Sequence, residues 1–258
     1  MTIRPCPERR PSPAAASAEP DPYVKGAVGD VTLDALEDAV RYNSWFCRHI
    51  HPYLGNSNLE LGAGHGSLVA IIGRTHQVLP VEPSEPGRAA LSRRFGDHPR
   101  VLAPLPLLSD VPEEAALDCI YSSNVLEHIE DDLAILSQAS GRLCPGGHFV
   151  ALVPAGMWLY SEFDRSLGHF RRYTMADRQR ICRYLTSEAL PLRLLRYRAL
   201  NPIGALGWFV KMRLLKQQSI RKEDAAMVER LVPLFSMTDA LPLPFGQTVL
   251  FVLQKHRA

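Results

Sequence analysis

The 258-residue chain predicts an α/β fold built on a doubly wound, parallel sheet, and three observations carry that prediction. Short apolar runs alternate with helix-length amphipathic segments between residues 58 and 153. One run ends in the turn Gly62-Ala63-Gly64-His65-Gly66, which leads straight into a helical pattern. Two others end in Glu82 and in Asn124-Val125-Leu126-Glu127-His128. Polar residues therefore gather at carboxyl ends of strands, where open α/β sheets bind ligands.

The elements follow in order. The first twenty residues hold Pro5, Pro7, Pro11, Pro13 and Pro20 among Ala, Ser and Arg, with no apolar run, so residues 1–22 are expected to be a disordered tail and not a signal peptide. Residues 31–51 suit an amphipathic helix, with Leu33, Leu36, Val40, Trp45 and Phe46 near helical spacing and Asp30 or Thr32 as cap. Strands are expected at 58–61, 77–81, 100–103, 117–121 and 148–153, with helices between them at 67–73, 87–95 and 131–143. Beyond 153 the pattern loosens into a helix at 175–185, a strand at 192–197, a helix at 203–216 and a last strand at 248–254.

The glycine turn is the most specific signal. A strand that ends in glycines and feeds a helix brings backbone N–H groups close to a ligand, and glycine is needed where a Cβ would collide or φ must be positive. The order here is Glu60-x-Gly62-x-Gly64-x-Gly66, tighter than the G-x-G-x-x-G of dinucleotide sites and with an acid two residues ahead. Glu82, at the tip of the second strand, is placed to accept from both hydroxyls of a ribose, which fits an adenosine ligand of either a nicotinamide or a sulfonium cofactor.

Composition is that of a protein with a full core: 46% hydrophobic, 22% charged, net charge +2. Nothing in that balance argues for nucleic acid or a membrane surface, and no apolar run reaches the length of a spanning helix. Five cysteines are scattered without a C-x-x-C pair or a companion histidine cluster, so reduced thiols in a cytoplasmic protein are expected, with no disulfide frame and no metal site. Nine arginines crowd residues 165–198; they are either a solvated helix face or the rim of a pocket for an anion.

The E-x-G-x-G-x-G turn, the strand-end sequence Asn124-Val125-Leu126-Glu127-His128-Ile129 and the turn Pro145-Gly146-Gly147 together resemble class I S-adenosylmethionine (SAM) methyltransferases. Within them, the segments FDRSLGHFRRYT at 163–174 and NPIGALGW at 201–208 are similar to a bacterial small-molecule group with a D-R-x-x-G-H-x-R-R-Y motif. The resemblance implies a Rossmann-like sheet of seven strands, mostly parallel, with an antiparallel last strand, plus a helical lid insertion. It implies one domain over 23–258: a SAM-binding core at about 50–155, a substrate and lid region at about 156–245, and a closing strand at 246–254.

SAM is the expected cofactor, with Glu60, Gly62, Ala63, Gly64, Gly66, Glu82, Pro83, Leu105, Asn124 and Val125 as the residues expected to bind it. A small, anionic metabolite methylated on O or N is the expected acceptor, with Tyr42, Trp45, Tyr160, Arg172 and Tyr173 on its side of the site. His128, His169 and Asp164 are the catalytic candidates, because a neutral imidazole or a carboxylate can take the acceptor's proton. Each has a plain alternative. His128 could cap the helix that follows, Asp164 and the arginines could form an ion-pair network, and Tyr42 and Trp45 could be core aromatics. A SAM-binding scaffold without turnover and a nicotinamide-dependent oxidoreductase remain as other readings. A homodimer is compatible with the sequence, whereas nucleic-acid and membrane partners are not expected.

Overall fold

The computed structural model describes residues 39–217, 222–241 and 243–256. The expected tail, residues 1–22, and the helix caps Asp30 and Thr32 lie outside the described residues. Strands β1 Ser57–Leu61, β2 Gln77–Val81, β3 Leu117–Ser123, β4 Leu143–Pro154, β5 Leu192–Leu200 and β6 Thr248–Lys255 form one six-stranded sheet. Their order is β2-β1-β3-β4-β6-β5. The first four run parallel, and β6 lies antiparallel between β4 and β5.

The strands are apolar because both faces of the sheet are covered. Along β4, Phe149, Ala151 and Val153 enter one core while Val150 and Leu152 enter the other, and β6 divides its residues in the same way. The helices α1 Val40–Ile50, α2 Ser67–Ile72, α3 Glu85–Phe95, α4 Asp132–Arg142, α5 Glu162–Ser166, α6 Met175–Ser187, α7 Pro202–Trp208 and α8 Lys222–Thr238 complete the architecture. A π-helical segment, Phe209–Leu214, prolongs α7.

Among the described residues the sheet has six strands, where seven were expected. The chain at 100–105 does run beside β2, joined by the bridges Val78↔Val101 and Val81↔Leu105. Leu102 and Leu105 donate to Val78 and Pro80 carbonyls at 2.9 and 3.0 Å. Between these bonds neither Pro104 nor Pro80 of β2 has an N–H to offer, so no continuous ladder forms. The Pro145-Gly146-Gly147 turn sits inside β4, where the register against β3 jumps between Leu117 and Cys119 and Gly146 has φ +85°.

The strand order reverses between β1 and β3, and the crevice at their carboxyl ends is the switch point where such sheets take ligands. Both ends carry unusual backbone: Gly62 follows β1 with φ +73°, and Asn124 follows β3 with φ +53°. Helix α1 packs on α2 and α8. Its first turn has no local cap and is satisfied instead by Glu229 of α8, whose carboxylate accepts from the Arg41 and Tyr42 N–H groups at 3.1 and 2.8 Å. Among the described residues no helix is long and apolar enough to cross a membrane.

Candidate functional site

A cavity of 320 Å³ opens over the carboxyl ends of β1 and β3, within the size range of small-molecule sites. One side is the glycine loop. Gly62 and Ala63 N–H groups donate to the Val81 carbonyl at 2.8 and 3.0 Å, which ties the loop to β2. A Cβ on Gly62 would lie 2.4 Å from Val125 Cγ2 and one on Gly66, at φ +83°, 2.5 Å from the Phe95 ring. Only glycine fits either place.

Two carboxylates flank the loop. Glu82 accepts from the N–H of Gly64 at 2.8 Å and of Ser84 at 3.0 Å, which leaves lone pairs on both oxygens for a further donor. Glu60 lines the cavity yet is only 4% exposed. Burial pushes its carboxyl up to about 8, against the hydrogen bond from Tyr121 Oη at 3.1 Å, while Glu82 adds a smaller upward push.

The opposite side is built from side chains. Asp164, fully buried on α5, accepts from Ser161 N–H and Oγ, both at 2.9 Å, and from Arg172 Nε at 2.7 Å, and lies 3.0 Å from His169 Nδ1. Burial alone would raise its pKa, but the bonds from His169 and Arg172 outweigh it and hold the carboxyl below the ordinary value. Burial draws the Arg172 guanidinium down from its ordinary value while Asp164 pulls it back up. The guanidinium also lies 4.6 Å over the Trp208 ring. The His169 and His128 rings meet edge to face with centroids 4.6 Å apart.

Of the residues expected around a cofactor, Glu60, Gly62, Ala63, Gly64 and Asn124 line the cavity. Gly66, Glu82, Pro83, Leu105 and Val125 are not part of that lining, although Glu82 bonds the N–H of Gly64, which is. Val125 and Leu105 pack on the core, and the Pro83 carbonyl accepts from Arg88. Of those expected around an acceptor, Tyr42 and Arg172 line the cavity together with His128 and His169.

The remaining candidates are occupied elsewhere. Trp45 is 1% exposed and donates Nε1–H to Asp239 at 2.6 Å. Tyr173 is equally buried, with its hydroxyl donating to Asp132 at 2.6 Å. Tyr160 donates to the His169 carbonyl at 2.7 Å, so it fixes the loop from behind. Asp164 does not line the cavity either, and its part is to position His169 and Arg172.

The helix after His128 is capped by Asp131, which accepts from the Ala134 N–H. The arginine crowd is not a pocket rim. Only Arg172 among the nine lines the cavity. Arg171 and Arg180 clasp Asp132, Arg193 bonds Gln254, and Arg193, Arg196 and Arg198 punctuate the edge strand β5, as charges on edge strands commonly do.

Sequence reasoning assigned no role to several cavity residues. Glu127, fully buried, lies on the cavity wall with Phe46, Phe163, Trp208, Met212 and the Lys211–Asp224 ion pair. Glu127 stood inside a quoted motif, but only its neighbour, the imidazole, has an obvious chemistry from sequence. Asp239 was missed as well. It gathers Trp45 Nε1, His49 Nε2 and the Asn201 N–H, joining α1, α7 and α8 behind the cavity.

A family model described as a methyltransferase domain matches residues 39–197. A chain of Mycolicibacterium smegmatis described as a "Probable S-adenosylmethionine-dependent methyltransferase" is 30% identical over 171 residues, covering 59% of this chain and 62% of its own. The chain spans less than two thirds of the length of the curated relatives it matches. Among solved structures, an S-adenosylmethionine-dependent methyltransferase from Mesorhizobium loti aligns with a TM-score of 0.53 at 18% identity, over 85% of this chain and 100% of that one. Phospholethanolamine N-methyltransferase 2 of Haemonchus contortus, solved with phosphomonomethylethanolamine and S-adenosylhomocysteine (SAH), aligns with a TM-score of 0.57 at 15% identity, over 89% of this chain and 58% of that one. At these identities the structures share the fold with this chain.

Proposed function

The chain belongs to the methyltransferase-domain family, and we propose that it is a SAM-dependent methyltransferase acting on an O or N atom of a small acceptor. The observation that carries the reading is the convergence of Glu60, Gly62, Gly64 and Asn124 on one cavity at the sheet's switch point, with a largely apolar compartment beside them. The loop fits an adenosine-type cofactor, since a Cβ at Gly62 would close its approach.

SAM brings its own activation, a methyl group on a sulfonium. What the chain must do is bind, align and exclude water, and alignment alone supplies roughly 7–11 kcal/mol of such a barrier. Glu60, once ionised, pairs with the cofactor's ammonium, and Glu82 takes the ribose hydroxyls with its remaining lone pairs. Gly64 and Asn124 form the floor between them. His169, held through Nδ1 by Asp164, presents Nε2 for an acceptor proton, and His128 beside it is the other base.

The acceptor expected from the arginines needs adjustment. Arg172 is already bound to Asp164, so the cavity offers little spare positive charge. Phe46, Phe163, Trp208 and Met212 favour an acceptor with an apolar body, and an anionic group is accommodated only next to Arg172.

Calorimetric titration of the purified chain with SAM, SAH and NADH tests the cofactor, and transfer of a labelled methyl from SAM to candidate acceptors tests turnover. Micromolar binding of SAM and SAH with label transfer is expected. Binding of NADH alone, or of none of the three, overturns the reading, and SAM binding without transfer to any acceptor leaves a scaffold.

A further inference from the structure

We propose that Glu127, His128 and His169 form a binding site for one divalent transition-metal ion on the acceptor side of the cavity. One donor atom from each of the three lies within 4.8 Å of the others, and all three residues line the cavity. They come from two segments. Glu127 and His128 are consecutive in the short turn after β3, and His169 follows α5 on a loop pinned to that turn by the Phe170 N–H donating to the Glu127 carbonyl at 2.8 Å.

The arrangement around His169 is that of a metal ligand. Its Nδ1 lies 3.0 Å from Asp164 Oδ1, which can only accept when ionised, and its Nε2, 4.0 Å from Glu127 Oε1, is the nitrogen left for an ion. A carboxylate on the far nitrogen fixes the tautomer, orients the ring and raises its basicity. Asp164 is in turn fixed by Ser161 and Arg172.

Charge and donor type point the same way. Metal ligands bind deprotonated, and one carboxylate with two neutral imidazoles, beside the Asp164–Arg172 ion pair, would bring one net negative charge to a dication. Two imidazoles and one carboxylate are a borderline donor set, suited to Zn²⁺, Fe²⁺, Co²⁺ or Mn²⁺ above Mg²⁺ or Ca²⁺. Three protein ligands facing a cavity leave a position open to an acceptor oxygen or nitrogen, as in catalytic sites. The donors are wider apart than the roughly 3.4 Å edge that bonds of about 2.0–2.1 Å give a tetrahedral zinc site. Glu127 Oε1 and His169 Nε2 stand 4.0 Å apart, so their side chains as well as the half-buried His128 ring would have to draw in around an ion. Occupancy does not depend on methyl transfer; with an ion bound, His169 and His128 would serve as ligands in place of bases, and a role for the ion in lowering an acceptor's pKa rests on the reading above.

The test uses the full chain, stripped with a chelator, re-equilibrated with Zn²⁺ or Mn²⁺ alone and passed through a desalting column. Bound metal is counted by mass spectrometry and affinity by calorimetry. About one equivalent is expected, with affinity falling more than about 100-fold in His169→Ala and in His128→Ala, and 10–100-fold in Asp164→Asn. His76→Ala, a histidine outside the cavity, keeps wild-type binding. A cooperative thermal melt identifies which variants are folded, and SAH binding is measured in parallel so that failure of the cofactor reading is seen separately. No bound metal in the wild type, binding of Mg²⁺ as tight as Zn²⁺, or full binding in folded His169→Ala and His128→Ala would overturn the proposal.

Discussion

The two sides of the cavity are made by different means. The glycine loop side is a matter of backbone: Gly62 and Gly66 adopt positive φ, their missing Cβ atoms make the space, and the tie from Gly64 to Glu82 spans 18 residues of one β-loop-α-β unit. The His169 side is a matter of side chains, some close in the chain and some far apart. Arg172, His169 and Asp164 hold one another, and Asp239 reaches Trp45 across 194 residues. Where backbone conformation makes a site, the residue types announce it. Where ion pairs make it, the same residue types fit several arrangements.

The sharpest way to break that comparison is Asp164→Ala. It leaves the Arg172 guanidinium, 2% exposed, without its counter-charge. A loss of about 3–5 kcal/mol of stability in urea unfolding is expected, with the SAH affinity of the folded protein unchanged. A large loss of SAH affinity would mean that the two sides act as one.

Gly62→Val attacks the other side. The new side chain meets Val125 at 2.4 Å from a backbone with φ +73°, and strain of about 1–3 kcal/mol should weaken SAH binding by roughly 10–100-fold in calorimetry. Trp45→Phe removes the donor to the Asp239 carboxylate. About 2 kcal/mol of stability should go with it, because the acceptor is charged and buried, and cofactor affinity should not follow.

A pH dependence is expected that is confined to the loop side. Burial raises Glu60 from 4.5 to about 8 in the folded chain. Between these values the folded state holds a proton that the unfolded state has lost, so stability falls as pH rises through the window, by up to about 1.4 kcal/mol per unit. SAM, whose ammonium needs the ionised carboxylate, should bind up to about tenfold more tightly per unit over the same range and level off above it. Glu60→Gln should flatten both profiles, and unchanged profiles would remove Glu60 from the cofactor site.

The sheet was largely readable from sequence because a sheet covered on both faces needs continuous apolar strands such as 149–153 and 249–253. The edge was harder. Residues 100–105 carry strand-like apolar residues, and only the meeting of Pro104 with Pro80 of β2 decides that they form bridges and not a continuous strand. The loss of the arginine rim has a similar origin. A guanidinium reaches many partners, and the sequence does not say that Asp132 takes Arg171 and Arg180 while Asp164 takes Arg172.

By itself, the sequence determined the doubly wound core, the glycine loop and the two carboxylates beside it, because these rest on local backbone demands that few residue types can meet. Only the tertiary structure decided which polar side chains face the cavity. It sent Trp45 and Tyr173 into the core, turned Asp164 into the anchor of His169 and Arg172, and brought Glu127 to the cavity wall. The physical reason is burial: a polar group removed from water must find its partner wherever the fold supplies one, and that partner is fixed by packing between segments that sequence spacing does not relate.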